Sequence, residues 1–105
     1  MGKIYLGTQY KQLVNLDPIA GFTMDDYDFT IEVTCSGSKA IKATKSESIR
    51  IDENNYAVRV DTNLLGVGQV MVKVTAYIPD GDFDGGKRTE VLWLDGGNSI
   101  QKSLR

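Results

Sequence analysis

The side chains best suited to chemistry lie in one short loop. The segment Pro-Asp-Gly-Asp-Phe-Asp-Gly-Gly places Asp80, Asp82 and Asp84 at alternate positions ahead of a glycine, as in the first half of an EF-hand calcium loop. The second half departs from that pattern, because the bidentate Glu is required at the position of Val91, whereas Glu90 comes one place early. Two interpretations stay open: a calcium site of another geometry, or a solvated hairpin loop in which Asp and Gly supply the turn. We favour the hairpin loop.

The composition narrows the remaining chemistry. The chain has 105 residues, one Cys and no His, which excludes Ser-His-Asp and Cys-His catalysis and His-ligated zinc for a chain acting alone. A single Cys also excludes an intrachain disulfide and a Cys-rich metal site. Cys35 ends an apolar row and is expected to be a buried apolar side chain. We therefore expect no enzymatic activity and, apart from the calcium alternative, no cofactor.

Charge and hydropathy limit the partners. With 12 Lys and Arg against 14 Asp and Glu, and with the basic residues scattered, we expect no nucleic-acid binding. The longest apolar stretch, residues 91–94, is far shorter than the ~20 residues that cross a bilayer, so we expect no membrane insertion. The N-terminus lacks the apolar core of a signal peptide, and the lone Cys fits synthesis in a reducing cytoplasm.

The elements that position these residues are predicted to be strands, because the main hydrophobic period is two. The clearest strand covers residues 27–35, with Tyr27, Phe29, Ile31, Val33 and Cys35 on one face. Residues 56–61 and 70–78 repeat the alternation. Shorter candidates are residues 3–6, 12–16, 40–44, 48–51 and 90–94, and a brief pairing that ends at Ile100 is expected after the last of them.

Turn residues recur between these strands roughly every 8 to 14 residues, which is typical of sandwiches. The sequence therefore predicts an all-β, immunoglobulin-like antiparallel β-sandwich of seven to eight strands, as a single domain over residues 1–105. Residues 61–66 are expected to form one helical turn between the sheets. The other predicted turns include residues 17–18, 36–38, 52–55, 80–86 and 96–98.

Two further groups have alternative interpretations. Trp93 lies in a Val-Leu-Trp-Leu run and is expected in the sandwich core, although a sugar-stacking platform is the alternative. Asp25, Asp26 and Asp28 only superficially resemble a pair of catalytic carboxylates, and we expect them to keep the start of a strand solvated.

The first segment of the chain is our candidate interface. Residues 3–16 contain two short apolar pieces separated by polar residues, which predicts an edge strand or an arm exchanged with a neighbouring copy. The candidate interface residues are Ile4, Leu6, Leu13 and Val14.

Several segments together resemble small β-sandwich proteins encoded by phages and prophages of gut anaerobes. More distantly, their order is similar to that of the N-terminal domains of tailed-phage upper baseplate proteins. The similarity runs from about residue 28 to residue 100. It rests on DFTIEV at residues 28–33, KSE at 45–47, NYAVRVDT at 55–62, LGVG at 65–68, AYIPDGDF at 76–83 and RTEV at 88–91.

This resemblance implies a structural protein of the virion, made in the cytoplasm of the bacterial host, that assembles with itself or with other virion proteins. It implies no active-site residue. The alternative is a carbohydrate- or protein-binding module of a cell-surface system, with a glycan as ligand and with the loop at residues 80–84 and exposed aromatic side chains as the binding surface.

Overall fold

The computed structural model describes residues 2–16, 22–35 and 39–102, and these residues form two β-sheets. The predicted all-β sandwich is confirmed, whereas the turns predicted at residues 17–18 and 36–38 lie outside the described residues. The eight strands of the described chain are β1 (Gly2–Tyr5), β2 (Gln9–Asn15), β3 (Asp28–Cys35), β4 (Lys39–Thr44), β5 (Ile49–Asp52), β6 (Asn55–Asp61), β7 (Gly68–Pro79) and β8 (Lys87–Gln101).

The eight strands are divided between a five-stranded and a three-stranded sheet, in the manner of an immunoglobulin-like sandwich. The larger sheet has the order β1-β8-β7-β3-β4 and the smaller sheet has the order β2-β6-β5. One strand pair departs from the predicted antiparallel arrangement, because β1 runs parallel to β8, with Ile4 opposite Ile100. Alternation of apolar residues has a period of two in both kinds of sheet, so the sequence pattern did not reveal this pairing.

The core lies between the sheets and follows the predicted alternation. Phe29, Ile31 and Val33 of β3 are at most 1% exposed, and the inward residues of β7 from Val70 to Ile78 are buried to the same degree. Phe29 meets the Tyr56 ring edge to face at 4.9 Å between ring centres. Cys35 is buried, as predicted.

The last strand differs most from the prediction. β8 is a single strand of 15 residues, which spans about 50 Å at the rise of a strand and so matches the 55 Å long axis of the molecule. The glycines at residues 96 and 97 form a bulge within this strand, not the predicted turn: Gln69 lies opposite Ser99, but Met71 lies opposite Asp95. Gly97 adopts a φ of 75°, which a bulge accommodates more readily with glycine than with other residues.

A buried glutamine ties the small sheet to this bulge. Gln12 of β2 is 5% exposed, and its Nε2 donates hydrogen bonds to the Gly96 carbonyl at 3.0 Å and the Leu13 carbonyl at 3.1 Å. The Tyr10 hydroxyl donates to Gln12 Oε1 at 3.0 Å. Because buried polar groups need partners, this network holds β2 in register over β8.

The helical turn predicted at residues 61–66 is present as a 3-10 turn at Thr62–Leu64. Asp61 caps it, since Asp61 Oδ1 accepts a hydrogen bond from the Asn63 N–H at 3.0 Å. This turn leads the chain from β6 in the small sheet to β7 in the large sheet.

Candidate functional site

Trp93 lies on the outer surface, and its predicted place in the core is wrong. The side chain is 60% exposed and belongs to the outward face of β8 together with Val91, which is 50% exposed. Leu92 and Leu94 take the inward positions between them and pack partly against the core. In a run of four apolar residues the strand can bury only every second one, and here Trp93 has the outward phase.

The surroundings of Trp93 are set by the pairing of β8 with β7. Lys73 is directly opposite Trp93, and its Nζ lies 5.7 Å from the centre of the indole ring. Glu32 of β3 follows Lys73 across the sheet, and Lys42 of β4 follows Glu32. The residues that follow Trp93 across the neighbouring strands are therefore all charged. Within this cross-strand row, only β8 exposes an apolar side chain.

The other side of β8 is an open strand edge. β1 pairs only with the last part of β8, from Asn98 to Gln101, and among the described residues no strand pairs with that side of residues 87–95. We call residues 87–95 the open β8 edge. Its backbone N–H and C=O groups on that side are available to a further strand.

The open β8 edge also lies at the rim of the sandwich. The inward residues of β7 are fully buried, whereas the inward residues of β8 are only half-buried, which shows that the small sheet does not extend over this part of β8. These half-buried residues are Arg88, Glu90, Leu92 and Leu94. A strand added here would therefore cover apolar side chains on both faces of the sheet.

Native proteins usually protect such edges with charged residues, prolines or bulges. The open β8 edge has its charges at Lys87, Arg88, Glu90 and Asp95, and the bulge begins only after residue 95. Between Glu90 and Asp95 four successive apolar residues have no such protection. The apolar centre of the edge, residues 91–94, is therefore the part open to strand addition, as in β-augmentation.

The acidic loop is not assembled as a metal site. The Asp82 N–H donates to Asp80 Oδ1 at 3.0 Å, Arg88 Nε lies 3.4 Å from Asp80 Oδ2, and Asp84 opens a separate 3-10 turn. Within residues 2–16, 22–35 and 39–102, no group of three His, Cys, Asp or Glu side chains is placed to hold a metal ion. The geometry thus gives no support to calcium binding at Asp80, Asp82 and Asp84.

Asp25 belongs to a polar cluster that the sequence pattern did not reveal. Arg50 of β5 donates to its carboxylate through Nη2 at 2.8 Å and through Nε at 3.0 Å, and the Tyr56 hydroxyl donates to Asp25 Oδ1. The hydrogen bonds from Arg50, and next the one from Tyr56, lower the pKa of Asp25 to about 2. Burial, and next the hydrogen bond to Asp25, raises the pKa of Tyr56 to about 12.

This cluster joins the segment before β3 to the small sheet, so Asp25 does more than keep the start of β3 solvated. Asp26 has a different partner, because its Oδ2 accepts from the Thr23 N–H at 2.8 Å. Asp28 is exposed, as predicted. The three carboxylates therefore do not converge on one point as a catalytic pair would.

The four candidate interface residues have different surroundings. Ile4 of β1 and Leu6 are half-buried, and Leu6 packs against the core. Leu13 is 54% exposed, whereas Val14 is 1% exposed and belongs to the core of its own chain. Val14 is therefore unavailable to a neighbouring copy, and the alternation within β2 is the reason. Both β1 and β2 are edge strands of their sheets.

Comparisons with known proteins identify no family. No family model matches the chain, and no curated protein matches it. One solved structure is similar to 98% of the chain, with a TM-score of 0.48 and 10% sequence identity: a crystal structure from Bacteroides vulgatus provisionally named as a glycoside hydrolase. The chain spans 17% of that protein's length. A similarity of this size supports no conclusion about activity.

The described part of the chain contains no helix long and apolar enough to cross a membrane.

Proposed function

We propose that this protein is a non-enzymatic structural component of a phage or prophage particle and that it docks another protein through the open β8 edge. The observation that supports this most is the exposure of Val91 and Trp93, at 50% and 60%, on a strand that pairs with β7 on one side and with no described strand on the other. The particle is proposed from the resemblance to phage β-sandwich proteins, and the docking surface from the fold.

The open β8 edge offers two sources of binding energy. An added strand would satisfy the outward-pointing backbone groups, and it would cover Val91, Trp93 and the half-buried leucines. Tryptophan is enriched among interface residues whose truncation costs about 2 kcal/mol or more. The alternation of β8 thus makes Trp93 the expected anchor of the interface.

Other features also fit a structural role. Asp25, whose pKa is lowered to about 2, is bound by Arg50 and Tyr56 and is unavailable as a proton acceptor at neutral pH. In the acidic loop, Asp82 and Asp84 are exposed, and Asp80 is half-buried beside Arg88. Neither group resembles an arrangement that would activate a nucleophile.

The test is incorporation into particles. The chromosomal copy in the bacterium that encodes this chain is replaced by Val91→Lys, and particles are purified and analysed by mass spectrometry. We expect the wild-type chain in the particles and a strong loss of the variant. Ile51→Lys is the matched control, because Ile51 is equally exposed, at 53%, but lies on the small sheet and outside the candidate interface of residues 3–16. Absence of the wild-type chain from particles, or equal incorporation of Val91→Lys, would refute the proposal.

A carbohydrate-binding module is the second candidate, because an exposed Trp93 on a flat sheet face is a surface on which a sugar ring can stack. Phe83 is also exposed, but it lies in the acidic loop before β8, and the strand from Lys87 to Trp93 alone spans about 20 Å. The two rings would therefore contact different parts of a glycan. A glycan-array signal lost in Trp93→Ala or Phe83→Ala would favour this function over docking.

A further inference from the structure

We infer that the strand docked on the open β8 edge is the same edge of a second copy, paired antiparallel about a two-fold axis at Val91. This inference rests on the proposed function and identifies the partner and the register. The paired strands would join two five-stranded sheets into one continuous sheet of two copies.

The register follows from the limits of the open β8 edge. Residues 87–95 form a segment of nine residues whose centre is Val91. In an antiparallel pair of identical strands, the residue on the two-fold axis faces itself and the ends face each other. Centring on Val91 therefore pairs the whole segment of one copy with the whole segment of the other.

Charge complementarity supports this register. With Val91 on the axis, Lys87 faces Asp95 of the second copy, and the symmetry repeats this pair at the other end of the interface. Asp95 Oδ1 accepts from the Gln69 side chain and from the Gly97 N–H, so Oδ2 has no hydrogen bond within the described residues. Opposite charges directly across two strands stabilise the pairing, whereas like charges oppose it.

The apolar residues also fit this register. Val91 would face Val91 of the second copy, and Trp93 would face Thr89, with Val91 as its diagonal neighbour. Diagonal neighbours in antiparallel strands lie about 7–8 Å apart, which a large aromatic ring can span. The indole ring of Trp93 would thus cover the apolar centre of the interface between the two β8 strands.

Neighbouring registers are less favourable. Centring on Glu90 would place two carboxylates face to face on the axis, where they repel each other. Centring on Leu92 would leave Lys87 without Asp95 and would oppose Asp95 with Thr89. The register centred on Val91 alone pairs the full segment and both terminal charges.

Cysteine cross-linking tests partner and register together. Val91→Cys places two thiols opposite each other, with Cβ atoms about 5 Å apart, whereas Thr89→Cys separates them by about 13 Å along the strands. Both positions are exposed, so both variants are expected to fold. The wild type is the blank, because its Cys35 is 0% exposed. Mild oxidation at micromolar concentration is followed by non-reducing electrophoresis.

We expect the covalent dimer to form about tenfold faster in Val91→Cys than in Thr89→Cys, given these separations. Adding Lys87→Glu, which sets like charges opposite each other twice, is expected to slow cross-linking about tenfold. Faster cross-linking of Thr89→Cys, or none in either variant, would overturn the inference. If cross-linking fails in this way, the incorporation test still decides the proposed function. Particles that contain the wild-type chain but lack Val91→Lys would then support docking of a different protein at the open β8 edge.

Discussion

The Lys73 ammonium lies 5.7 Å from the centre of the Trp93 indole ring, across the paired strands β7 and β8 on the outer face of the large sheet. The ring therefore stands in solvent beside a cation and outside the sandwich core. A cation–π contact at an exposed site contributes about 0.5–1 kcal/mol. This contact orients Trp93 and contributes little to folding.

Replacing Trp93 by Ala tests that placement. We expect the free energy of unfolding to fall by less than about 1 kcal/mol, because the side chain is mostly exposed and loses mainly the contact with Lys73. A core tryptophan would cost about 3–5 kcal/mol. Urea unfolding at a protein concentration low enough to keep the chain monomeric measures the difference. A loss of several kcal/mol would indicate that the Trp93 side chain is buried in the core, which would contradict its placement on the surface.

The pH dependence of stability tests the Asp25 cluster. The pKa of Asp25 is about 2 in the folded protein against an ordinary value of 3.8, so folding favours the ionised form. Its contribution to stability is complete above about pH 4 and is lost as the pH falls towards 2. We expect Asp25→Asn to be less stable than wild type at pH 7 and to lose less stability between pH 4 and pH 2.

Arg50→Gln is the companion variant for that measurement. Arg50 is the main cause of the lowered pKa of Asp25. We therefore expect Arg50→Gln, like Asp25→Asn, to lose less stability than the wild type between pH 4 and pH 2. The double variant should lose less than the sum of the two single losses, since the two residues share one interaction. Additive losses would show that the ion pair does not stabilise the fold.

Gly96 tests the bulge that ends the open β8 edge. A Cβ at this position would lie 2.7 Å from Val70 Cγ1 and 2.8 Å from the Val70 carbonyl oxygen, which forces the strands apart. We expect Gly96→Ala to cost about 1–3 kcal/mol in the free energy of unfolding. Gly81→Ala is the matched control, because nothing lies within 4 Å of its added Cβ. Equal stability of the two variants would contradict the close approach of β7 and β8.

Calcium titration tests the acidic loop. Asp80 is engaged by Arg88 and by the Asp82 N–H, and the three carboxylates do not form a joint site. We expect no change in the amide resonances of residues 80–86 at millimolar calcium. Saturable shifts confined to Asp80, Asp82 and Asp84 would establish the calcium site that their alternation suggests.

Local alternation was sufficient to predict most of the sandwich. Strict period-two segments such as β3 have one buried face, because each inward side chain is followed by a polar outward one, and Phe29 and Val33 are buried accordingly. A cap residue, two leucines and a terminating glycine in residues 61–66 also predicted one helical turn, which is present as a 3-10 turn at Thr62–Leu64 with Asp61 as its cap. These features depend on neighbours in sequence.

The features that the sequence did not predict depend on distant partners. In residues 91–94 every position is apolar, so the sequence does not show which side chains face the core. Trp93 faces outward because the register of β8 with β7 places it opposite Lys73, on the outer face of the large sheet. Asp25 and Arg50 are 25 residues apart and meet only once the small sheet packs against the segment before β3. The bulge at Gly96 became visible only in the register of β7 and β8.

Sedimentation equilibrium of the wild type and of Val91→Lys, over a range of concentrations, tests most directly whether the open β8 edge joins two copies. For the wild type we predict an average mass that rises with concentration from 11.6 kDa towards twice that value. Ile51→Lys should follow the wild-type curve, whereas Val91→Lys should remain at 11.6 kDa. A wild-type mass that stays at 11.6 kDa, or a Val91→Lys chain that associates as the wild type does, would contradict the claim.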